Sequence, residues 1–188
     1  AIALKPNYAE AYFSLGNAFK ELKRLNDSVS SYNKAIAIKT NYAEAHYNLG
    51  NIFQELGKID EAMLSYNKAI TIKPHYAEAY SNLGSVFQML GQLDDATVNY
   101  NQAIAIKSDF VDAHSNLGVV LHEQGKLDAA VISYHNALEI EPDYADAHGN
   151  LGLVLTVLGK PTEAILHHKE AIALVPDECQ HHYVNLGN

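Results

Sequence analysis

Four asparagines recur at intervals of 34 residues and give this sequence its clearest chemical signal. Each stands two residues before a glycine in a copy of the motif A-[HY]-[YSG]-N-L-G; they are Asn48, Asn82, Asn116 and Asn150. A carboxamide offers two donor hydrogens and an acceptor oxygen, the groups that pair with peptide backbone. A regular row of carboxamides therefore predicts a surface that binds the backbone of an extended peptide. The alternative is that each amide hydrogen-bonds to the neighbouring copy and fixes how the copies stack.

Two further rows accompany the asparagines. Three positions after each Asn, or after Ser14 in the first copy, the residues change from polar to apolar along the chain: Asn17, Asn51, Ser85, Val119 and Leu153. One position before Ser14 and Asn48 lie the aromatic residues Phe13 and Tyr47. We add Asn17, Asn51, Phe13, Tyr47, Val119 and Leu153 to the candidate binding residues. A matching partner would be polar at one end and carry an apolar anchor at the other.

An acidic row has a competing structural explanation. Its members are Glu10, Glu44, Glu78, Asp112 and Asp146, and four of them follow an Asn or Asp by three residues: Asn7, Asn41, Asp109 and Asp143. That spacing is typical of a capping box, in which the first residue caps a helix and the acid bonds back to it. A row of cation-binding carboxylates is the alternative. We favour capping because both halves of the box recur so regularly.

Other chemistry has little support in the sequence. The densest histidine group, His167 and His168 with Cys179, His181 and His182, lacks zinc-type spacing, and no phosphate loop or nucleophile elbow occurs. We therefore expect no metal, no cofactor and no enzyme activity. The formal charge of −9 argues against general binding to nucleic acid or to an anionic membrane. A single cysteine and the absence of a signal-peptide pattern favour a cytoplasmic protein.

The elements that position these residues are predicted by the same period. Gly16, Gly50, Gly84, Gly118 and Gly152 lie 34 residues apart. Five complete repeats then follow one another, with residues 1–8 ending an earlier copy and residues 179–188 beginning another: 9–42, 43–76, 77–110, 111–144 and 145–178. Apolar residues at three- and four-residue spacing, interrupted once near the middle, predict two antiparallel helices in each repeat. Each glycine in this row would allow close contact with small residues of the second helix, such as Ala62 and Ala69, while Tyr66 fills the larger space nearby.

This pattern resembles the tetratricopeptide repeat (TPR) family over essentially the whole chain. The resemblance rests on the 34-residue period, the Leu49-Gly50 pair, Ala62, Tyr66, Ala69 and Pro74. It implies an all-α fold, a right-handed α-solenoid whose concave groove is lined by the first helix of every repeat. The asparagine row is similar to that in the repeat domain of O-linked N-acetylglucosamine transferases, where the amides bind substrate backbone.

The resemblance implies a scaffold that binds an extended protein or peptide segment in this groove. The alternatives are a substrate-recruiting arm of a larger enzyme, such as a glycosyltransferase, and a self-assembling structural array. Residues 1–42 carry a net charge of +3 and residues 111–144 a net charge of −5. Such a gradient is usually just solvated surface. The sharper expectation is weak end-to-end self-association, because both ends of the sequence are cut through a repeat.

Overall fold

The computed structural model describes residues 8–174, and these form ten helices and no strand. The predicted all-α class is therefore confirmed for this part of the chain, whereas the predictions for residues 1–7 and 175–188, including Cys179, His181 and His182, lie outside it. The chain divides into an N-terminal unit, residues 1–91, and a C-terminal unit, residues 92–188. The N-terminal unit contains α1 (Ala9–Glu21), α2 (Leu25–Ile38), α3 (Ala43–Glu55), α4 (Ile59–Ile72) and α5 (Ala77–Met89). The C-terminal unit contains α6 (Leu93–Ile106), α7 (Val111–Glu123), α8 (Leu127–Ile140), α9 (Ala145–Val157) and α10 (Pro161–Leu174).

Within each unit, every helix packs on its neighbours along the chain. In the N-terminal unit α1 packs on α2, α2 on α3, α3 on α4 and α4 on α5. In the C-terminal unit the same holds from α6 to α10, and α7 also contacts α9. In α2, α4, α6 and α8 a tyrosine and one or two alanines are fully buried; Ala62 and Tyr66 of α4, for example, pack against Leu83 and Val86 of α5.

Gly16, Gly50 and Gly118, each from an LG pair, make room for a tyrosine ring and not for an alanine. A Cβ atom on Gly50 would lie 2.5 Å from Cε1 of Tyr66, and one on Gly16 would lie 2.6 Å from Cε1 of Tyr32. The predicted contact with small residues is wrong in this detail, because the flat ring itself lies directly over the glycine. In α9 the ring is that of His168, which approaches Gly152 in the same way.

The turn between the two helices of a repeat requires a left-handed backbone. Gly57, Gly91, Gly125 and Gly159 adopt φ values between +70° and +73° there. In the first repeat this position holds Lys23, which is forced to φ +56°. A residue with a Cβ atom pays about 1 kcal/mol or more in this conformation, so Lys23 is a strained position.

The capping-box prediction is wrong. Each first helix begins one residue later than the box requires, and an aromatic residue occupies the N-cap without a side-chain cap bond: Tyr8, Tyr42, Tyr76, Phe110 and Tyr144. The aromatic ring is selected by packing, since Tyr42 lies 4.9 Å from the Phe13 ring and under the Lys39 ammonium at 4.1 Å. The acids still lie in the first helical turn, where the helix dipole favours negative charge.

Candidate functional site

In the N-terminal unit, the asparagine row is part of a hydrogen-bonded network between repeats. The Tyr32 hydroxyl, at the end of a buried ring, donates to Asn17 Oδ1 over 2.6 Å. Asn48, on the next first helix, donates from Nδ2 to the same oxygen over 3.1 Å and to the Tyr32 hydroxyl over 3.3 Å. Three side chains from three helices therefore meet at one amide oxygen.

The same arrangement recurs one repeat further along the chain. Asn51 Oδ1 lies 2.8 Å from the Tyr66 hydroxyl and 2.8 Å from Asn82 Nδ2. The Tyr66 hydroxyl is also 2.8 Å from Gln54 Oε1, and Asn82 Nδ2 is 3.2 Å from the Tyr47 hydroxyl. Burial raises the pKa of Tyr32 and Tyr66 above the ordinary value, which keeps both phenols protonated as donors.

These contacts connect two rows that the sequence presented separately. The residue three positions after the motif Asn accepts, the buried tyrosine donates, and the motif Asn of the following repeat donates from its amide nitrogen. The amide hydrogens of Asn48 and Asn82 therefore form hydrogen bonds between repeats, which is the structural alternative to peptide binding. Their Oδ1 atoms have no hydrogen-bond partner among residues 8–174 and remain available on the surface.

The C-terminal unit lacks the central acceptor of this network. Val119 occupies the position of Asn51, and the hydroxyl of the fully buried Tyr134 is left without a hydrogen-bond partner in the described part of the chain. Burial raises the pKa of Tyr134, so this orphan hydroxyl stays protonated. Asn150, the counterpart of Asn82, is partly exposed, and its carboxamide bonds to no described residue. Asn116 is also partly exposed, without a side-chain hydrogen bond inside its own unit.

Of the remaining predicted site residues, those in the N-terminal unit are packed, and Leu153 in the C-terminal unit is more exposed. Phe13 and Tyr47 are half-buried and pack on the tyrosines of the core, Phe13 on Tyr32 and Tyr47 on Tyr66 and Tyr76. Leu153, by contrast, is 52% exposed on α9, and Val157 on the same helix is 62% exposed. The available side chains thus concentrate in the C-terminal unit, on α9.

The predicted site did not include the tyrosine hydroxyls, because Tyr66 was predicted only to fill space. Tyr32 and Tyr134 occupy the same position of their repeats. The available signal was the choice of Tyr at this buried position, because a ring that only fills space needs no hydroxyl and a buried hydroxyl needs a partner.

Histidines at the position after the motif alanine have a structural role. His114 Nε2 lies 3.0 Å from the carbonyl oxygen of Ser108, and His148 Nε2 lies 2.9 Å from that of Pro142. In both cases the ring bonds to the loop that precedes its own helix. The residues therefore fix the loop between repeats.

His148 also joins a histidine cluster in the C-terminal unit. Its Nδ1 lies 2.9 Å from Nδ1 of His167, and the His135 ring is centred 6.1 Å from that of His167. If His148 donates from Nε2 to Pro142, its Nδ1 accepts the hydrogen of His167 Nδ1 in the neutral pair. Burial, followed by the neighbouring His148 and His135, lowers the pKa of His167.

No group of three or more His, Cys, Asp and Glu side chains in residues 8–174 is placed to hold a metal ion. Within the same range, no helix has the length and apolar character needed to cross a membrane.

Comparison with known proteins identifies the repeat. A family model described as "TPR repeat" matches residues 16–57, 50–91, 89–125 and 120–159. A search of curated proteins found no match. Among solved structures, that of MamA is 26% identical with a TM-score of 0.78, and the match covers 85% of this chain and 94% of that one.

Two other structures are similar at lower identity. YrrB, described as "a TPR protein with an unusual peptide-binding site", is 23% identical with a TM-score of 0.75, and the match covers 98% of this chain and 95% of that one. TTC0263 from Thermus thermophilus, described as a thermophilic TPR protein, is 20% identical with a TM-score of 0.74, over 95% of this chain and 98% of that one. Below 25% identity these likenesses describe the fold alone.

Proposed function

The chain belongs to the tetratricopeptide repeat family, and we propose that it binds an extended peptide segment through the first helices of its C-terminal unit. TPR repeats are generally non-catalytic scaffolds for protein interactions. The observation that carries the proposal is the Asn150 carboxamide, which has no protein partner among residues 8–174 and lies beside the exposed Leu153 on α9.

An unpaired carboxamide is well suited to the backbone of an extended segment. Its oxygen accepts from a peptide N–H and its nitrogen donates to a peptide carbonyl, so one side chain can satisfy both groups of a backbone unit. Backbone hydrogen bonds supply affinity without dictating sequence, while apolar contacts select side chains. Leu153 and Val157 supply that apolar surface one and two turns further along the helix.

The N-terminal unit would contribute less to such binding. Asn48 and Asn82 each use the amide nitrogen within the network, and Asn17 and Asn51 use the amide oxygen. A peptide that recruited these groups would first have to break hydrogen bonds between repeats. We therefore assign the N-terminal pair Asn48 and Asn82 to repeat stacking, and Asn150, together with Asn116, to the ligand.

YrrB is described as having a peptide-binding site, which is the same kind of function on the same fold. The proposal for this chain rests on its own Asn150. The larger-enzyme and self-assembly alternatives, and the end-to-end association expected from the charge gradient, stay predictions. Light scattering at high protein concentration tests the association, and a monomer would contradict it.

The function is tested by selecting a phage-displayed library of random octapeptides on the full chain. Selected peptides are then titrated against Asn150→Ala and against Asn82→Ala, which removes the equivalent side chain from the N-terminal unit. We expect Asn150→Ala to weaken binding by about tenfold, the effect of about 1.4 kcal/mol, and to leave the melting temperature nearly unchanged. Asn82→Ala should lower the melting temperature and leave binding within about twofold. Peptides that bind both variants as tightly as the parent would refute the assignment.

A further inference from the structure

One face of α9 carries four side chains of graded chemistry. Their spacing of four, three and four residues places them on the same side of the helix: Asp146, Asn150, Leu153 and Val157. The packed helix α7 repeats this spacing with Asp112, Asn116, Val119 and Glu123. We call these eight residues the C-terminal first-helix face. Asp112 and Asp146 lie at the N-terminal edge, the carboxamides follow, Val119 and Leu153 come next, and Glu123 and Val157 form the last row.

No Lys or Arg among residues 8–174 forms an ion pair with Asp112 or Asp146. Asp112 and Asp146 are exposed, and neither α7 nor α9 contains a Lys or an Arg. The Asp112 carboxylate accepts the Tyr144 hydroxyl over 2.8 Å, and Asp146 has no hydrogen bond or ion pair in the described chain. Residues 92–174 contain twelve acidic and four basic residues, whereas residues 8–91 contain eight of each. The charge surplus therefore belongs to the unit that contains this face.

A second, independent feature indicates that this face takes a polar ligand. The buried Tyr134 hydroxyl has no partner among residues 8–174, while the equivalent hydroxyl of Tyr66 reaches Asn51 and Gln54 on the first helix. Because Val119 occupies the position of Asn51, we infer that the Tyr134 hydroxyl points towards the buried side of Val119. A buried polar group without a partner is uncommon and costs free energy, so an occupant or its water that pairs with it gains affinity.

We propose that the C-terminal first-helix face binds an extended cationic segment in which basic and apolar side chains alternate. This inference rests on the function proposed above and names its ligand class. In an extended chain, successive side chains point to opposite sides, at right angles to the backbone hydrogen bonds. A backbone bonded to Asn116 and Asn150 therefore directs one set of side chains towards Asp112 and Asp146. The other set lies over Val119 and Leu153.

The test uses the full chain and three fluorescein-labelled octapeptides in polarisation titrations at low salt. One peptide alternates Lys and Val, the second alternates Glu and Val, and the third has a block of Lys followed by a block of Val. We expect the Lys–Val peptide to bind about tenfold more tightly than either of the others. Electrostatic steering of the peptide and its ion pairs with Asp112 and Asp146 both depend on where the charges lie. High salt should weaken the Lys–Val peptide most.

A matched pair of variants separates local pairing from general electrostatics. Asp112→Asn/Asp146→Asn removes two charges from the face and keeps an acceptor for Tyr144, so we expect about fivefold weaker Lys–Val binding. Asp128→Asn/Glu139→Gln removes the same charge from exposed positions of α8, and should change binding by less than about twofold. Equal losses in the two double variants would overturn the proposal.

The outcomes also distinguish this inference from the proposed function. If the three peptides bind alike and Asn150→Ala weakens all of them, the ligand class is wrong and the peptide site stands. If the Lys block peptide binds as tightly as the alternating peptide, the alternation is refuted. If no peptide, from these probes or from the random library, depends on Asn150, the function itself fails.

Discussion

The two equivalent tyrosines Tyr66 and Tyr134 should respond in opposite directions to removal of the hydroxyl. Both side chains are fully buried, so Tyr→Phe changes almost no apolar burial in either case. In Tyr66→Phe the hydrogen bond that the phenol donates to the amide oxygen of Asn51 or Gln54 is lost, at a cost of about 1 to 2 kcal/mol. In Tyr134→Phe an unpaired buried hydroxyl disappears, so we expect a gain of about 1 kcal/mol.

The assay is urea unfolding of the full chain followed by circular dichroism. The curves are fitted with a nearest-neighbour repeat model, because repeat arrays depart from strict two-state unfolding. In thermal melts, a change of 1 kcal/mol corresponds to about 2 to 4 °C for a chain of this size. The melting temperatures of the two variants should therefore lie roughly 4 to 12 °C apart, with Tyr134→Phe above the parent. Equal destabilisation of both variants would refute the claim that the Tyr66 hydroxyl has a hydrogen-bond partner among residues 8–174 and the Tyr134 hydroxyl has none.

Three further predictions concern packing, strain and pH. In urea unfolding, Gly50→Ala should lower the free energy of unfolding by about 2 kcal/mol, because the new Cβ would collide with the buried Tyr66 ring. Gly149→Ala should raise it by up to about 1 kcal/mol, because the nearest atom to the new Cβ lies 3.9 Å away. Lys23→Gly should raise the melting temperature by roughly 2 to 4 °C through relief of the positive φ, and an unchanged value would contradict the strain. Because the pKa of His167 is lowered on folding, the free energy of unfolding should fall as the pH drops below about 6.5. Urea unfolding at pH 7.5 and 5.5 measures this loss. His167→Gln should reduce the loss, and the exposed control His75→Gln should not.

The repeat could be predicted from the sequence because its signal is distributed over many positions. The 34-residue spacing of glycines, the helical apolar periodicity and the mid-repeat glycines each point to helix pairs, so an error at one position changes little. Helix starts were harder to predict. The Asn41 to Glu44 spacing fits a capping box, but packing of the Tyr42 ring places the N-cap one residue later, and a spacing rule contains no term for packing.

The two roles of the asparagines could not be separated within one repeat. Whether Asn82 or Asn150 is free depends on a residue 31 positions earlier, Asn51 in one case and Val119 in the other. The sequence displays both rows, but only the structure shows that they meet through a tyrosine hydroxyl. The polar-to-apolar change along the chain therefore affects hydrogen bonding as well as surface character, because it leaves Asn150 without a partner among residues 8–174.

The most direct test of this account is the peptide affinity of Val119→Asn, measured together with its stability. The new side chain supplies the acceptor that Asn51 supplies in the N-terminal unit, so it should pair with Tyr134 and draw the Asn150 nitrogen into the network. The account predicts a gain in stability of about 1 to 2 kcal/mol and, in the same variant, binding of the selected peptides that is weaker by about tenfold. A variant that is more stable and binds as tightly as the parent would contradict the claim that Asn150 binds peptide because no residue of 92–174 binds its carboxamide.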